Sequence, residues 1–387
     1  MKTAASVAIW LAVFVASNSP ASAASHASST SPAPAPTGAA PAVRVEIGNL
    51  AGAAFRIDMP TAWNGILLIY YHGYTETPIH YDVHTPNPIG SGFAAAGFAV
   101  AQSAYSVTGW SIEWALAETE ALREYTIAHY GQPKESYVMG HSLGGYMTLA
   151  TIEHYPNRYD GGLALCAVAE PATRAITKTS ALLAAFHYYY PGLLPGPLSV
   201  APTAALDENL AHQVQAALAS NPTGLAEMLA IGRLKSDADL ASGIVFAAYV
   251  IRDLEQKTGA SVFDNHNWIY AGGADDNALN KGVKRYTADR AALAYLATWY
   301  TPSGLLRRPV LAVHTTYDPI VLPEVPGLYS DAVERAGSSE LFVQQFVAHD
   351  GHCAITGAET AAALHELIEW KRTGDRPASG PVPEPAR

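Results

Sequence analysis

Basic residues are scarce in this 387-residue chain. Lys and Arg number 23 against 34 Asp and Glu, a net charge of −11 with histidine neutral. No Lys/Arg cluster offsets that balance, which excludes nucleic acid and anionic membranes as expected partners. Charge of either sign is also thin, at 15% of residues against 49% hydrophobic. That ratio excludes global disorder and predicts a sizeable core. Cysteine is almost absent. Cys166 and Cys353 permit one disulfide at most, and a bridge and two buried free thiols both remain open. The chain lacks a long apolar run: Ala4 to Ala16 is too short to span a membrane easily. No internal repeat is present.

That short run, with Lys2 ahead of it and the Ala21-Ser22-Ala23 site behind it, reads as a secretory signal over 1–23, cut after Ala23. No cysteine stands at the cut, so a lipoprotein anchor is not expected. Export from a bacterial cell, to the periplasm or the medium, is. Residues 24–42 are almost entirely Ala, Ser, Pro, Thr and Gly and read as a disordered linker. The tail over 377–387 reads the same way.

The chain is organised around Gly140-His141-Ser142-Leu143-Gly144, a G-x-S-x-G pattern. With glycine at 31 positions, such a spacing arises by accident on the order of 0.1–0.2 times per chain, so the setting has to decide. Ser136 to Met139 reads as a buried strand and Tyr146 to Ile152 as a helix, the strand–turn–helix context of a nucleophile elbow. The serine is expected in a strained backbone conformation that projects its hydroxyl above the sheet. Gly140 and Gly144 let strand and helix approach closely, and the helix from Leu143 aims free N–H groups at the reacting centre.

Elsewhere strands alternate with helices. Residues 43–59 read as a hairpin at a sheet edge. Ile66 to Tyr71 is a continuously apolar central strand, followed by strands near 97–103, 136–139 and 161–168 and, much later, 309–314 and 341–347. This alternation implies a mostly parallel sheet covered on both faces. Residues 170–305 interrupt it with helical patterns, including Ala205–Leu218, Gly224–Leu234, Leu240–Leu254 and Arg285–Tyr300. They are rich in aromatics: Phe186, Tyr188, Tyr189, Tyr190, Trp268, Tyr270, Trp299 and Tyr300. Most of these are expected to pack the insertion against the sheet. The insertion reads as a helical lid after the sixth strand, leaving 43–169 and 306–376 as the core.

A serine hydroxyl needs a base, and the base needs a carboxylate to hold its tautomer and its charge. His352 is the expected base and Asp318 the expected carboxylate. Asp318 follows one strand and His352 lies in the loop after the next, so adjacent strands can bring them together above the serine. His349 competes for the role of base; Gly351 beside His352 favours the latter. Asp350 is too close in sequence to orient His352, His314 sits within a strand, and Asp331 falls in a helix. The backbone N–H groups of Tyr74 and Leu143 are the expected oxyanion donors, because His72-Gly73-Tyr74 directly follows a central strand. The His72 side chain is expected to bond to backbone. His80, Asp82 and His84 lie in a Pro-rich loop without further ligands at useful spacing, so no metal is expected. The chemistry needs no cofactor.

The pieces Tyr71-His72-Gly73-Tyr74, Gly140 to Gly145, His314 to Pro319 and Gly351-His352-Cys353 together resemble a secreted member of the α/β-hydrolase superfamily with a helical lid. The chain order Ser142, Asp318, His352 is that of the superfamily. The resemblance implies hydrolysis of small-molecule or polymeric carboxylic esters through an acyl-enzyme, and the aromatic insertion points to hydrophobic or aryl esters, polyester fragments included. Gly145-Tyr146-Met147 is similar to the elbow of prolyl-oligopeptidase-type peptidases, though no propeller domain is seen ahead of it. A peptidase or amidase with the same triad is therefore an alternative, and a non-catalytic binding protein of the same fold is another. The oligomeric state stays open.

Overall fold

The computed structural model describes residues 43–194 and 209–382. The expected leader over 1–23, the linker over 24–42 and positions 195–208 and 383–387 lie outside the described residues.

One nine-stranded sheet carries the molecule, in the order β1-β2-β4-β3-β5-β6-β7-β8-β9. Its first two strands, β1 (Val43–Leu50) and β2 (Ala53–Pro60), form the expected hairpin at one edge, and β2 runs antiparallel to β4 (Ala99–Ser103). All later pairings are parallel, through β3 (Ile66–Tyr71), β5 (Glu135–His141), β6 (Gly161–Leu165), β7 (Val310–Tyr317) and β8 (Phe342–Asp350). Side chains alternate between faces along each strand, so the continuous apolar run of β3 feeds two cores. Leu67, Ile69 and Tyr71 pack on one face with Val138, Tyr146 and Ile112. Ile66 and Leu68 pack on the other with Tyr137, Leu163, Leu364 and Leu367. Helices α2 (Ile112–Tyr130) and α3 (Leu143–His154) cover the first face. The second is covered by α1 (Pro88–Ala95) and by α11 (Gly357–Thr373), whose start carries the capping box expected from Thr356 and Glu359.

Between β6 and β7 the described chain forms six helices: α4 (Ala172–Tyr189), α5 (Leu210–Ser220), α6 (Pro222–Gly232), α7 (Asp237–Thr258), α8 (Asp276–Gly282) and α9 (Arg290–Trp299). Phe186, Tyr190, Tyr270 and Tyr300 are buried in it, and Tyr188 is exposed. After β7 comes α10 (Val325–Arg335), which holds Asp331. No described helix is long and apolar enough to cross a membrane.

Several sequence expectations need correction: β6 ends at Leu165 rather than Val168, the helix expected from Arg285 starts at Arg290, and the start of the one expected from Ala205 lies outside the described residues. The last strand continues to Asp350 rather than ending at Val347, because a register shift between Thr315 and Tyr317 lets Tyr317 pair with Asp350. The tail over 377–387 is not structureless as far as 382: β9 (Gly380–Pro381) pairs with β8, and Val382 N–H donates to the Phe346 carbonyl. A two-residue strand made of Gly and Pro has no periodicity to read; the open edge of β8 supplies its hydrogen bonds.

Candidate active site

Ser142 stands between the end of β5 and the first turn of α3, half-buried, with φ 57° and ψ −118°. A non-glycine residue with positive φ costs roughly 1–3 kcal/mol and persists only where its surroundings dictate it. Here they do. Ser142 N–H donates to the Leu165 carbonyl of β6, and the Ser142 carbonyl accepts from Tyr146 N–H. A Cβ at Gly144 would lie 2.1 Å from the Tyr71 carbonyl oxygen, and one at Gly140 would lie 2.4 Å from the Gly144 oxygen. The turn is as tight as the G-x-S-x-G spacing demanded.

The Ser142 hydroxyl donates to His352 Nε2 at 2.8 Å, and His352 Nδ1–H donates to Asp318 Oδ2 at 2.7 Å. The other oxygen of Asp318 accepts the N–H groups of Ile320 and Val321, both at 2.8 Å. Asp318 is fully buried. Burial alone would raise its pKa, but the His352 ring, its hydrogen bond, the nearby His314 and the Val321 N–H outweigh that and hold the carboxyl below its ordinary value. It is therefore ionised across the neutral range and fixes the tautomer that leaves Nε2 free to accept the serine proton.

The His352 loop is tied to its neighbours at several points. Gly351 takes φ 121°, its N–H donates to the Tyr317 carbonyl, and its carbonyl accepts from Thr315 Oγ1. The disulfide that sequence left open is present: Cys353 bridges to Cys166, at the end of β6. His349 is turned away from this network and pairs with Glu359 at 2.8 Å. Asp350 pairs with Lys235. His314 stays buried within β7, its Nδ1 against the Thr315 carbonyl and its Nε2 3.9 Å from Asp318.

The loop after β3 runs alongside Ser142. A Cβ at Gly73 would lie 3.4 Å from that of Ser142. His72 Nδ1–H donates to the Gly73 carbonyl at 2.7 Å, and that carbonyl shares its peptide unit with the Tyr74 N–H. The His72 ring stacks on Tyr105, whose hydroxyl donates to the His72 carbonyl. Burial pushes the His72 imidazole down to about 4, and that of His141 likewise, so both stay neutral. Leu143 is buried as the first residue of α3, where helix geometry leaves N–H groups without intrahelical partners. The Tyr74 ring packs edge-on against Phe246 of α7. Neither Phe246 nor the rest of α7 carries a motif that would have marked it beforehand.

His80 and His84 are exposed, and among the described residues no three His, Cys, Asp or Glu side chains are grouped to hold a metal ion. Their loop is held instead by Arg56, which donates to the carbonyls of Asp82 and Thr85 while paired with Asp58.

Residues 50–233 match the model of the Tannase-like family of unknown function (DUF6351). The chain is similar to the o-phthalyl amidase of Xanthobacter agilis, with 24% identity covering 87% of this chain and 89% of the amidase. Among solved structures it is similar to feruloyl esterase B from Aspergillus oryzae, with 15% identity, a TM-score of 0.47, and 85% of this chain and 80% of that one covered. It is similar also to the acylaminoacyl peptidase of Pyrococcus horikoshii, with 10% identity, a TM-score of 0.47 and 86% of this chain covered, and it spans 42% of that peptidase's length.

Proposed function

We propose that this chain, which has an α/β-hydrolase fold and is similar to an amidase over most of its length, is a serine hydrolase that cleaves carboxylic esters through an acyl-enzyme. Ser142 Oγ attacks the ester carbonyl carbon while His352 Nε2 takes the hydroxyl proton. The carbonyl oxygen gains negative charge and is received by the N–H groups of Tyr74 and Leu143. When the tetrahedral intermediate collapses, the alkoxide leaves and His352 returns the proton to it. Water then gives a proton to His352, adds to the acyl carbon and releases the acid, restoring the serine hydroxyl. Asp318 stays ionised throughout and stabilises the imidazolium.

The observation that carries this reading is the unbroken hydrogen-bonded line Ser142–His352–Asp318, at 2.8 and 2.7 Å, ending on a carboxylate that two backbone N–H groups fix. Aryl and hydrophobic acyl groups suit an insertion that packs the Phe246 ring against Tyr74. The Cys166–Cys353 bridge supports an oxidising place of action.

A fluorophosphonate probe is expected to label the wild type and not Ser142→Ala, with ester turnover falling by about four orders of magnitude or more in the variant. Turnover that survives the substitution overturns the reading. Amide cleavage by the same site is a second reading, favoured by the similarity to an amidase over most of the chain. A panel of p-nitrophenyl esters of increasing acyl length, run beside aryl esters, aminoacyl anilides and an o-phthalyl amide, separates the two. The ester reading expects the highest kcat/KM on an ester; preference for an amide transfers the assignment.

A further inference from the structure

The hydrogen bonds around Tyr74 continue outward into the helical insertion. Gly109 N–H donates to the Thr75 carbonyl at 2.7 Å, directly after the residue whose N–H is assigned to the oxyanion. The residues on either side of Gly109 are gripped by α7. Trp110 N–H donates to Asp253 Oδ2 at 2.8 Å, and Lys257 Nζ donates to the Thr108 carbonyl at 2.6 Å and to both Asp253 oxygens at 2.7 Å. Gly109 has φ 74°, and a Cβ there would lie 2.4 Å from the Asp253 carboxylate, so backbone and carboxylate are in direct contact. The pair is largely shielded, with side-chain exposures of 21% for Asp253 and 11% for Lys257. Seven residues earlier on α7, two turns along the same side of the helix, Phe246 meets the Tyr74 ring. One helix thus holds both the side chain of Tyr74 and, through residues 108–110, the carbonyl that follows it.

We propose that Asp253 and Lys257 are positioning residues for the reaction, setting where the Tyr74 N–H stands relative to Ser142. The inference rests on the serine mechanism proposed above. An oxyanion donor contributes only where charge develops, in the tetrahedral transition state, so its placement acts on kcat more than on substrate binding. A brace that merely fastens the insertion to the core has a different signature: it alters stability, or KM through access to the site, and leaves the transition state alone.

The test uses Asp253→Asn and Lys257→Met in the full chain, with p-nitrophenyl esters and an aryl trifluoromethyl ketone that forms a tetrahedral oxyanion on Ser142. Loss of a whole oxyanion donor costs about a hundredfold or more in kcat, so a displaced one is expected to cost about tenfold. KM should move by less than about threefold, since ground-state binding is untouched. Ketone affinity should fall by the same factor as kcat/KM, and the midpoint of the pH–rate profile should not move. Lys257→Arg, which keeps the charge, is expected to recover part of the loss. Folded variants that keep wild-type kcat and ketone affinity overturn the proposal, as does a loss accompanied by a shifted pH midpoint, which would place the effect on His352. If Lys257→Met is too unstable to purify, Lys257→Gln retains a neutral donor for the Thr108 carbonyl. An intermediate kcat there supports the proposal and an unchanged one refutes it. Ser142→Ala is measured alongside. Turnover persisting in that variant removes the serine mechanism itself, whereas wild-type kcat in the α7 variants, with Ser142→Ala inactive, removes only the positioning role.

Discussion

Ser142 is held in its unusual conformation by atoms that are not its own. The contacts that do this are backbone contacts, which makes the flanking glycines the most sensitive positions in the elbow. At Gly144 an added methyl meets the Tyr71 carbonyl at 2.1 Å and the His72 carbonyl at 2.7 Å, and neither is a flexible side-chain end that could swing aside. Gly144→Ala is therefore expected to lower stability by about 1–3 kcal/mol. It should also push the His72–Tyr74 loop off the nucleophile. Thermal unfolding reads the first effect. The kcat of the proposed ester hydrolysis, expected to fall by about tenfold or more, reads the second, and wild-type kcat in a folded Gly144→Ala chain would show that the loop need not sit where it does. The glycine spacing made the elbow legible in the sequence, because only a missing Cβ permits that approach. The choice between His349 and His352 was less legible. Both lie near the end of one strand, and it is the Gly351 turn that sends one ring to Asp318 and leaves the other on Glu359.

Helix α7 is the element whose importance the sequence hid. Its pattern reads as an ordinary amphipathic helix, and Leu240, Ile244, Ile251 and Leu254 are indeed buried. Its polar residues are where the interest lies. Glu255 is buried, and its carboxyl is pushed up to about 7 by that burial, with the Ser261 hydroxyl working against the rise and Asp289 adding to it. In the unfolded chain the same group ionises near 4.5. Between those two values the folded chain holds a proton that the unfolded chain has released. The contribution of this one group to stability is therefore fully present below about 4.5, declines as pH rises towards about 7, and is lost above it. Glu255→Gln mimics the protonated form. It is expected to match wild type at pH 4.5 and to exceed it at pH 8 by roughly 1–3 kcal/mol. Urea unfolding at the two pH values checks this, and an equal difference at both would show that the carboxyl does not titrate in that window.

Across the whole molecule, the segment between Cys166 and Cys353, a sequence separation of 187, contains the entire helical insertion, β7 and β8, and the bridge closes that span. It joins the end of the strand beside the elbow to the residue after His352. Both cysteines have positive φ, 44° and 56°, so the backbone at each end of the bridge is held in a conformation it would otherwise leave. The double variant Cys166→Ser, Cys353→Ser is expected to lose about 2–4 kcal/mol of stability. Its kcat should fall as well, since the His352 loop is freed at the neighbouring residue. Differential scanning calorimetry and ester kinetics on the purified variant test both, and an unchanged unfolding midpoint would mean that the remaining contacts already fix the loop.

Local pattern alone settled a good deal here. Alternation of apolar runs with amphipathic stretches fixed a mostly parallel, doubly covered sheet, because a strand buried on both faces and a helix buried on one leave different periodicities. The glycines around Ser142 fixed the elbow, and the order of Ser142, Asp318 and His352 made their meeting above one sheet edge possible. Tertiary structure alone decided the rest: that the two cysteines join, that His349 faces Glu359, that β8 runs on to Asp350 and gains β9, and that Asp253 and Lys257 grip the loop beside Tyr74. These are contacts between residues roughly 10 to 190 apart in the chain, made by single polar side chains or by an open strand edge. No short-range periodicity encodes such a contact, because its free energy depends on which surfaces the folded sheet has already brought together.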